Sequence, residues 1–172
     1  YEGGLLEDPW KSPEESMWLR TKSIEKSANK ADILELEFKN GDVIKINKKA
    51  LSPCKVLGKL NQLAGKHGIG RIDIVENRYV GIKSRGCYET PGGTIYHKAH
   101  KAMESITMDR ELLHLKEDLA NRYTRLIYNG YWFSPERESL QKLINDSQKR
   151  VTGIVRIKIL KVNVMVLGRK SP

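Results

Sequence analysis

Two short runs of alternating apolar and polar residues around an Asn-Gly pair constrain the fold of this chain more than any other feature. The first run is Ile33-Leu-Glu-Leu-Glu-Phe38 and the second is Val43-Ile-Lys-Ile46. A period of two is typical of a strand with one buried face. Asn40-Gly41 accepts the positive φ angles of a tight two-residue turn. The sequence therefore predicts an antiparallel hairpin here.

Three segments have the periodicity and the start signals of main helices. Ser52-Pro53 and Ser134-Pro135 each place a capping hydroxyl before a proline at the first helical position, and Gly68 ends the first helix. Thr107 is predicted to cap the helix between them. The stripes expected to be buried are Val56, Leu57, Leu60, Leu63 and Ala64 in the first helix, Leu112, Leu115, Leu119, Tyr123, Leu126 and Ile127 in the second, and Leu140, Leu143 and Ile144 in the third.

Further elements complete the predicted fold. We expect a lesser helix near Thr94–Ser105 and an antiparallel strand pair from Val151–Leu160 and Val164–Leu167. Residues 1–32 read as a loop-rich approach segment, with one short helix started by Ser12-Pro13-Glu14-Glu15. Strands and helices occur in blocks, so the predicted class is α+β, with antiparallel strands and hairpins packed with three main helices. One domain would cover 1–172.

Composition excludes several classes of protein. With 172 residues and 39% hydrophobic residues, the chain can bury a sizeable core. No apolar run approaches the roughly 20 residues that cross a bilayer, and Tyr1–Lys11 lacks the apolar centre of a signal peptide. Cys54, Cys87 and the His97/His100 pair have no metal-ligand spacing, so we expect free thiols and no metal site.

The net charge of +10 makes a basic nucleic-acid-binding module an alternative from another class. Many of the cations, however, stand on predicted helices that also carry acidic residues, as Lys101 and Lys116 do beside Glu104 and Glu111. Mixed signs indicate solvated faces. Because no aromatic ribonucleoprotein pattern or KH-type clamp is present, we expect no nucleic-acid partner.

The stretch Arg71–Gly93 concentrates side chains of the kind found in binding sites. On strand periodicity, Ile72 and Ile74 share a face with Glu76, so this carboxylate continues an apolar face. We predict two short strands, Arg71–Glu76 and Tyr79–Lys83, followed by a Ser84–Gly93 loop. The residues alone leave two interpretations open. Glu76 is either a structural partner of Arg78 or Arg85, or a ligand-binding carboxylate.

Several motifs along the chain closely resemble the argininosuccinate synthase family. Their length makes the resemblance specific. Besides Arg71–Gly93, they are Tyr1-Glu-Gly-Gly-Leu-Leu-Glu-Asp-Pro9, Ala64-Gly-Lys-His-Gly-Ile-Gly-Arg71, Ile106-Thr-Met-Asp-Arg110, Tyr131-Trp-Phe-Ser-Pro135 and Leu167-Gly-Arg-Lys-Ser-Pro172.

The resemblance implies a ligase of arginine biosynthesis that condenses L-citrulline and L-aspartate to argininosuccinate and releases AMP and pyrophosphate from ATP. The chain would be its C-terminal synthetase domain, which completes a citrulline site and supports a cytoplasmic homotetramer. An N-terminal nucleotide-binding domain would precede Tyr1, and an oligomerisation segment would follow Pro172. ATP with Mg²⁺ would bind the full-length enzyme, and the isolated fragment would bind neither and be inactive.

The resemblance also implies roles for particular residues. Glu76 and Tyr88 match the family's citrulline-contacting glutamate and tyrosine. Catalysis in the family uses groups of the substrates themselves, so no catalytic residue is expected. Five further residues are weaker candidates, which would support the citrulline-contacting residues from behind: Arg78, Ser84, Arg85, Glu89 and Thr90. A standalone amino-acid-binding module remains the other alternative.

Overall fold

The computed structural model describes residues 1–172 and contains seven strands and four helices. The strands are β1 (Asp32–Lys39), β2 (Asp42–Ile46), β3 (Lys49–Ala50), β4 (Arg71–Asn77), β5 (Lys83–Glu89), β6 (Gly153–Leu160) and β7 (Asn163–Lys170). Five of them form a sheet in the order β3-β2-β1-β6-β7, and β4 and β5 form a two-stranded sheet. All neighbouring strands are antiparallel. The predicted α+β class is confirmed.

The helices are α1 (Pro53–Lys66), α2 (Pro91–Thr107), α3 (Arg110–Tyr128) and α4 (Pro135–Ser147). The lesser helix predicted near Thr94–Ser105 is α2, which has 17 residues and supplies much of the buried helical surface. The fold therefore has four main helices instead of three. The short helix predicted after Ser12 is only a 3₁₀ turn over Glu15–Met17, because so short a segment cannot offset the cost of helix nucleation.

The first hairpin forms as the alternating pattern predicts. Leu34, Leu36 and Phe38 are buried on one face of β1, and β1 pairs with β2 on one side and β6 on the other. Asn40 and Gly41 have φ angles of 51° and 88°, the sign required by a tight hairpin turn. The predicted pairing of the two last strands is also confirmed.

The hydrophobic core lies between one face of the large sheet and the helices α1 and α2. Val56, Leu60 and Ala64 face it from α1 at intervals of four residues. Leu57 was predicted on the same stripe but is 46% exposed, since it stands about 100° further round the helix than Val56. Helix α2 adds Ile95, Ala99, Ala102 and Met103.

Helix α3 lies outside this core. None of its residues is buried, so the prediction of a buried stripe from Leu112 to Ile127 is wrong for the single chain. The predicted cap is also wrong. Asp109 caps α3 by accepting hydrogen bonds from the amides of Glu111 and Leu112, whereas Thr107 ends α2 and donates its hydroxyl to the Met103 carbonyl.

The second strand of the central stretch lies further along the chain than predicted. Residues 79–82 form the turn of the hairpin, in which the Arg78 amide donates to the Ile82 carbonyl and Gly81 has a φ of 87°. The predicted loop Ser84–Gly93 supplies most of β5 and the start of α2. A seven-pair ladder from Arg71↔Glu89 to Asn77↔Lys83 outweighs the strand propensity of the short apolar run Tyr79–Ile82.

Candidate functional site

The register of the β4–β5 hairpin brings Glu76 and Tyr88 to one face. Tyr88 stands opposite Ile72 and Glu76 stands opposite Ser84, with Gly86 between them on β5. The tyrosine ring lies along the strand over Gly86, where an added Cβ would be 2.6 Å from the Tyr88 hydroxyl. The absence of a side chain at Gly86 lets this hydroxyl reach Glu76, and it donates to Glu76 Oε1 at 2.8 Å.

Sequence reasoning missed a second carboxylate in the site, that of Glu2. The first residues run beside β5: Glu2 forms an antiparallel bridge with Gly86, and the Cys87 amide donates to the Tyr1 carbonyl at 2.9 Å. This pairing places Glu2 Oε1 2.5 Å from the Tyr88 hydroxyl. No local pattern around Glu2 predicts this contact, because the two residues are 86 positions apart in the sequence.

Arg78 adds a positive charge to the cluster. Its guanidinium pairs with Glu2 and lies 3.4 Å from Ser84 Oγ. The hydrogen bond from Tyr88, followed by that from Arg78, lowers the pKa of Glu2. Hydrogen bonds to Glu2 and then to Glu76 raise the pKa of Tyr88. The phenol therefore stays protonated and Glu2 stays ionised at neutral pH.

At the centre of the site one phenolic hydroxyl lies between two carboxyl groups. Tyr88 carries a single hydroxyl proton, but carboxylate oxygens of Glu2 and Glu76 are both within hydrogen-bond distance of it. The cluster also holds two carboxyl groups against the single guanidinium of Arg78. Both Glu76 and Tyr88 are partly exposed. The arrangement is suited to binding a cationic donor, such as an ammonium group.

The end of α3 also faces this cluster. Partial desolvation, followed by the charge of the Glu76 carboxylate, raises the pKa of Tyr128. At the tip of the hairpin, the hydroxyls of Tyr79 and Tyr131 lie 2.9 Å apart. These contacts connect the end of α3 and the turn that follows it to the β4–β5 hairpin.

The ion pairs in the structure do not support the interpretation of Glu76 as a structural partner of Arg78 or Arg85. Arg78 pairs with Glu2, and Arg85 pairs with Asp73. Arg85 donates through Nε at 2.9 Å and Nη2 at 2.7 Å to the two Asp73 oxygens. Its remaining nitrogen donates to the carbonyls of Asp8 and Lys11. Arg85 therefore fastens the first residues to the hairpin and has no free donor directed at Glu76.

Glu89 has a similar structural role. Its carboxylate accepts the backbone amides of Leu19, Arg20 and Thr21 and the Thr21 hydroxyl. Burial raises the pKa of Glu89, but these hydrogen bonds outweigh it and hold the pKa below its usual value. The residue anchors the approach segment and does not touch the Glu76 cluster.

The remaining candidates are divided between the two ends of β5. Ser84 lies opposite Glu76 and contacts Arg78, so it belongs to the cluster. Thr90 follows the other end of β5, where its amide donates to the Gly70 carbonyl and its side chain does not cap α2. The structure brings together Glu76, Arg78, Ser84 and Tyr88, and it separates Arg85, Glu89 and Thr90 from them.

The cysteines and histidines do not extend the site. Both cysteines are free, as predicted, and burial raises the pKa of Cys87. His100 Nε2 lies 2.8 Å from Gln148 Oε1, and burial lowers its pKa. No cluster of three or more His, Cys, Asp or Glu side chains is placed to hold a metal ion. None of the helices has the length and apolar character needed to span a bilayer.

Comparison with known proteins gives a consistent result. A family model described as the arginosuccinate synthase C-terminal domain matches residues 1–172. The chain belongs to the argininosuccinate synthase family. Argininosuccinate synthase from Nitrosococcus oceani is 64% identical over 171 residues, which are 99% of this chain and 42% of that protein. Those from Nitratiruptor sp. and Campylobacter fetus are each 60% identical, over 100% and 99% of the chain.

The chain thus spans 42% of the length of these curated relatives. The family membership predicted from the motifs is confirmed. The Glu76 cluster lies in the part of an argininosuccinate synthase that this chain represents.

Proposed function

We propose that the chain is the synthetase domain, residues 1–172, of an ATP-dependent ligase that condenses L-citrulline with L-aspartate in arginine biosynthesis. Its own contribution is to bind citrulline. The observation that carries this proposal is the Tyr88 hydroxyl, which lies within hydrogen-bond distance of the carboxylates of both Glu76 and Glu2. Family membership supplies the reaction to which the site belongs.

The amino acid would bind through its α-ammonium group. An ammonium has three N–H donors and no acceptor, so it can supply the hydrogen bonds that a single phenolic proton cannot. Glu76 would accept one of them, and Tyr88 could then direct its proton to Glu2 or to the substrate. Hydrogen bonds between charged groups are the strong ones. The cluster would thereby fix the head group of citrulline and the direction in which its ureido group points.

The chemistry itself would be carried by the substrates. The ureido oxygen of citrulline would attack the α-phosphate of ATP and release pyrophosphate, and the amine of aspartate would then displace AMP. Holding two reactants in line removes much of the entropic barrier. In this scheme Glu76, Tyr88 and Glu2 orient one reactant, and no residue of this chain acts as a catalytic acid, base or nucleophile.

The remaining substrates would bind elsewhere in the whole enzyme. ATP and its Mg²⁺ would occupy an N-terminal nucleotide-binding domain, in the part of the relatives that this chain does not cover. The isolated chain would bind no nucleotide and form no argininosuccinate.

The assembled enzyme would be a cytoplasmic homotetramer, as the family resemblance implies. Helix α3 supports this assembly, because none of its residues is fully buried within one chain. Leu115 and Ile127 are 44% and 37% exposed, and exposed apolar surfaces of this kind often mark subunit interfaces. A second subunit would cover the helix.

The proposal is tested by comparing ligands that differ at the α-amino group. Equilibrium binding to the complete enzyme is measured for L-citrulline and for N-acetyl-L-citrulline, in which an amide replaces the ammonium. We expect the acetylated ligand to bind at least about tenfold more weakly, since it loses a charge-assisted hydrogen bond. Equal affinity of the two ligands would contradict recognition through the ammonium group.

A further inference from the structure

A groove outside the Glu76 cluster lies between α2 and β7, is also lined by Ile72 of β4, and has a volume of about 770 Å³. Thr90, just before α2, and Ser105 on α2 mark its two ends, and Lys98 and Lys101 stand between them. Val166 and Arg169 line it from β7. Because α2 rises about 1.5 Å per residue, the groove is roughly 22 Å long. We call this feature the basic groove.

The charges in the basic groove are all of one sign. None of its 11 lining residues is acidic. Lys98, Lys101 and Arg169 take part in none of the ion pairs of the chain. The neighbouring Glu104 is buried, and its carboxylate pairs with Lys116 of α3. The cations of the groove therefore lack an anionic partner within the chain.

The strand beside the groove has a free edge. β7 is the last strand of the large sheet and is hydrogen-bonded only to β6. It has eight residues, which is about 26 Å of extended backbone. The other edge strand, β3, has only two residues. A long unpaired edge strand offers a row of backbone donors and acceptors to which another strand can be added.

Together these two features point to one kind of occupant. We propose that the free edge of β7 and the basic groove form a docking site for an extended acidic segment of a partner protein, which is added to the sheet as a strand. Alternate side chains of an added strand point to one side. Glu or Asp residues on that side would meet Lys98, Lys101 and Arg169.

The length and charge of the groove favour this occupant over the alternatives. A segment of about seven residues spans the roughly 22 Å between the ends of the groove, whereas a single phosphate would contact only one end. A second copy of this chain paired through β7 would present the strand Asn163–Lys170, which has no acidic residue to meet Lys98, Lys101 and Arg169.

The test measures binding of a fluorescent peptide of about eight alternating valine and glutamate residues to the chain by anisotropy. We expect saturable binding that weakens as salt is raised, because exposed charges are screened. The double variant Lys98→Glu/Lys101→Glu should weaken binding about tenfold. The matched control is Lys55→Glu on α1, an exposed lysine outside the groove, and it should bind as the unmodified chain does. Melting curves establish that each variant is folded.

Strand addition is tested separately from charge. The same peptide with alternate backbone amides N-methylated keeps every carboxylate but cannot donate its hydrogen bonds to the β7 edge. Its affinity should fall about tenfold if a strand is added. Equal binding of the methylated peptide would overturn the proposal in favour of a general anion site, as would tighter binding of tripolyphosphate or a short RNA.

Two other outcomes would also overturn the proposed docking site. Binding that the Lys98→Glu/Lys101→Glu variant leaves unchanged would show that the acidic peptide docks elsewhere. A chain that dimerises in solution, and whose dimer the peptide dissociates, would show that a second copy occupies the edge.

Discussion

The hydroxyl of Tyr88 lies 2.8 Å from Glu76 Oε1, although the two residues are on different strands and are not paired directly in the register. The contact depends on Gly86, over which the tyrosine ring lies. With Glu2 on the other side of the same hydroxyl, one phenolic proton lies between two carboxyl groups. This arrangement is the basis of the proposal that the cluster binds the ammonium group of an amino acid.

Replacing Glu76 by glutamine should weaken citrulline binding in the complete enzyme by about 1.5–3 kcal/mol, the usual contribution of a hydrogen bond to a charged group. The KM for citrulline should rise accordingly, with little change in the KM for ATP. Steady-state kinetics for each substrate and a melting curve of the variant provide the measurement. The control is Glu35→Gln on β1, a partly exposed glutamate outside the cluster. An unchanged citrulline KM at unchanged kcat would remove Glu76 from the site.

Replacing Gly86 by alanine should displace the Tyr88 ring, because the new Cβ would lie 2.7 Å from two ring carbons. Overpacking of this kind costs about 1–3 kcal/mol, and the citrulline KM should rise together with a fall in Tm. Gly58→Ala on α1 is the matched control, since no atom lies within 4 Å of its added Cβ. Normal citrulline kinetics in Gly86→Ala would show that the position of the ring does not matter.

Replacing Arg85 by alanine should lower stability, and any rise in the citrulline KM should accompany the fall in Tm, because Glu2 lies in the segment that Arg85 holds. The variant loses both hydrogen bonds to Asp73 and those to the carbonyls of Asp8 and Lys11, so the first residues detach from the hairpin. We expect a lower Tm than in Arg150→Ala, a control at an exposed arginine without an ion pair. A selective rise in the citrulline KM at unchanged Tm would instead place Arg85 in the site.

Acid should release the approach segment through Glu89. Because the folded-state pKa of Glu89 lies below the ordinary value of 4.5, its contribution to stability is complete above that pH and is lost as the pH falls below it. In Glu89→Gln, Tm should be lower near neutral pH and should decline less steeply between about pH 5 and 3. Thermal melts across this range measure both slopes, and identical slopes would contradict the assignment.

The exposed stripe of α3 should cause the chain to self-associate. Leu115→Glu combined with Ile127→Glu places charges on the uncovered face and should shift the sedimentation coefficient toward that of a monomer. Leu19→Glu is a suitable control, because Leu19 is 88% exposed in the approach segment. A chain that stays monomeric over a wide concentration range would argue against an interface on α3.

The amino-acid sequence by itself determined the features that depend on neighbouring residues. Asn40-Gly41 specified the first hairpin, and Ser134 capped α4 with its hydroxyl 3.2 Å from the Arg137 amide. The family motifs were likewise readable, and they identified Glu76 and Tyr88 as candidates. Each of these signals lies within a few residues of the structure that it predicts.

Tertiary structure decided the features that depend on distant partners. The register of β5 was fixed by pairing with β4 and by the turn at Gly81, not by the apolar run before it. Glu2 lies in the site because it contacts Tyr88, which is 86 residues away in the sequence. Arg85 and Glu89 hold the first residues in place by hydrogen bonds to their backbone. Strand propensity is weak and depends on such contacts, so no local pattern could have revealed them.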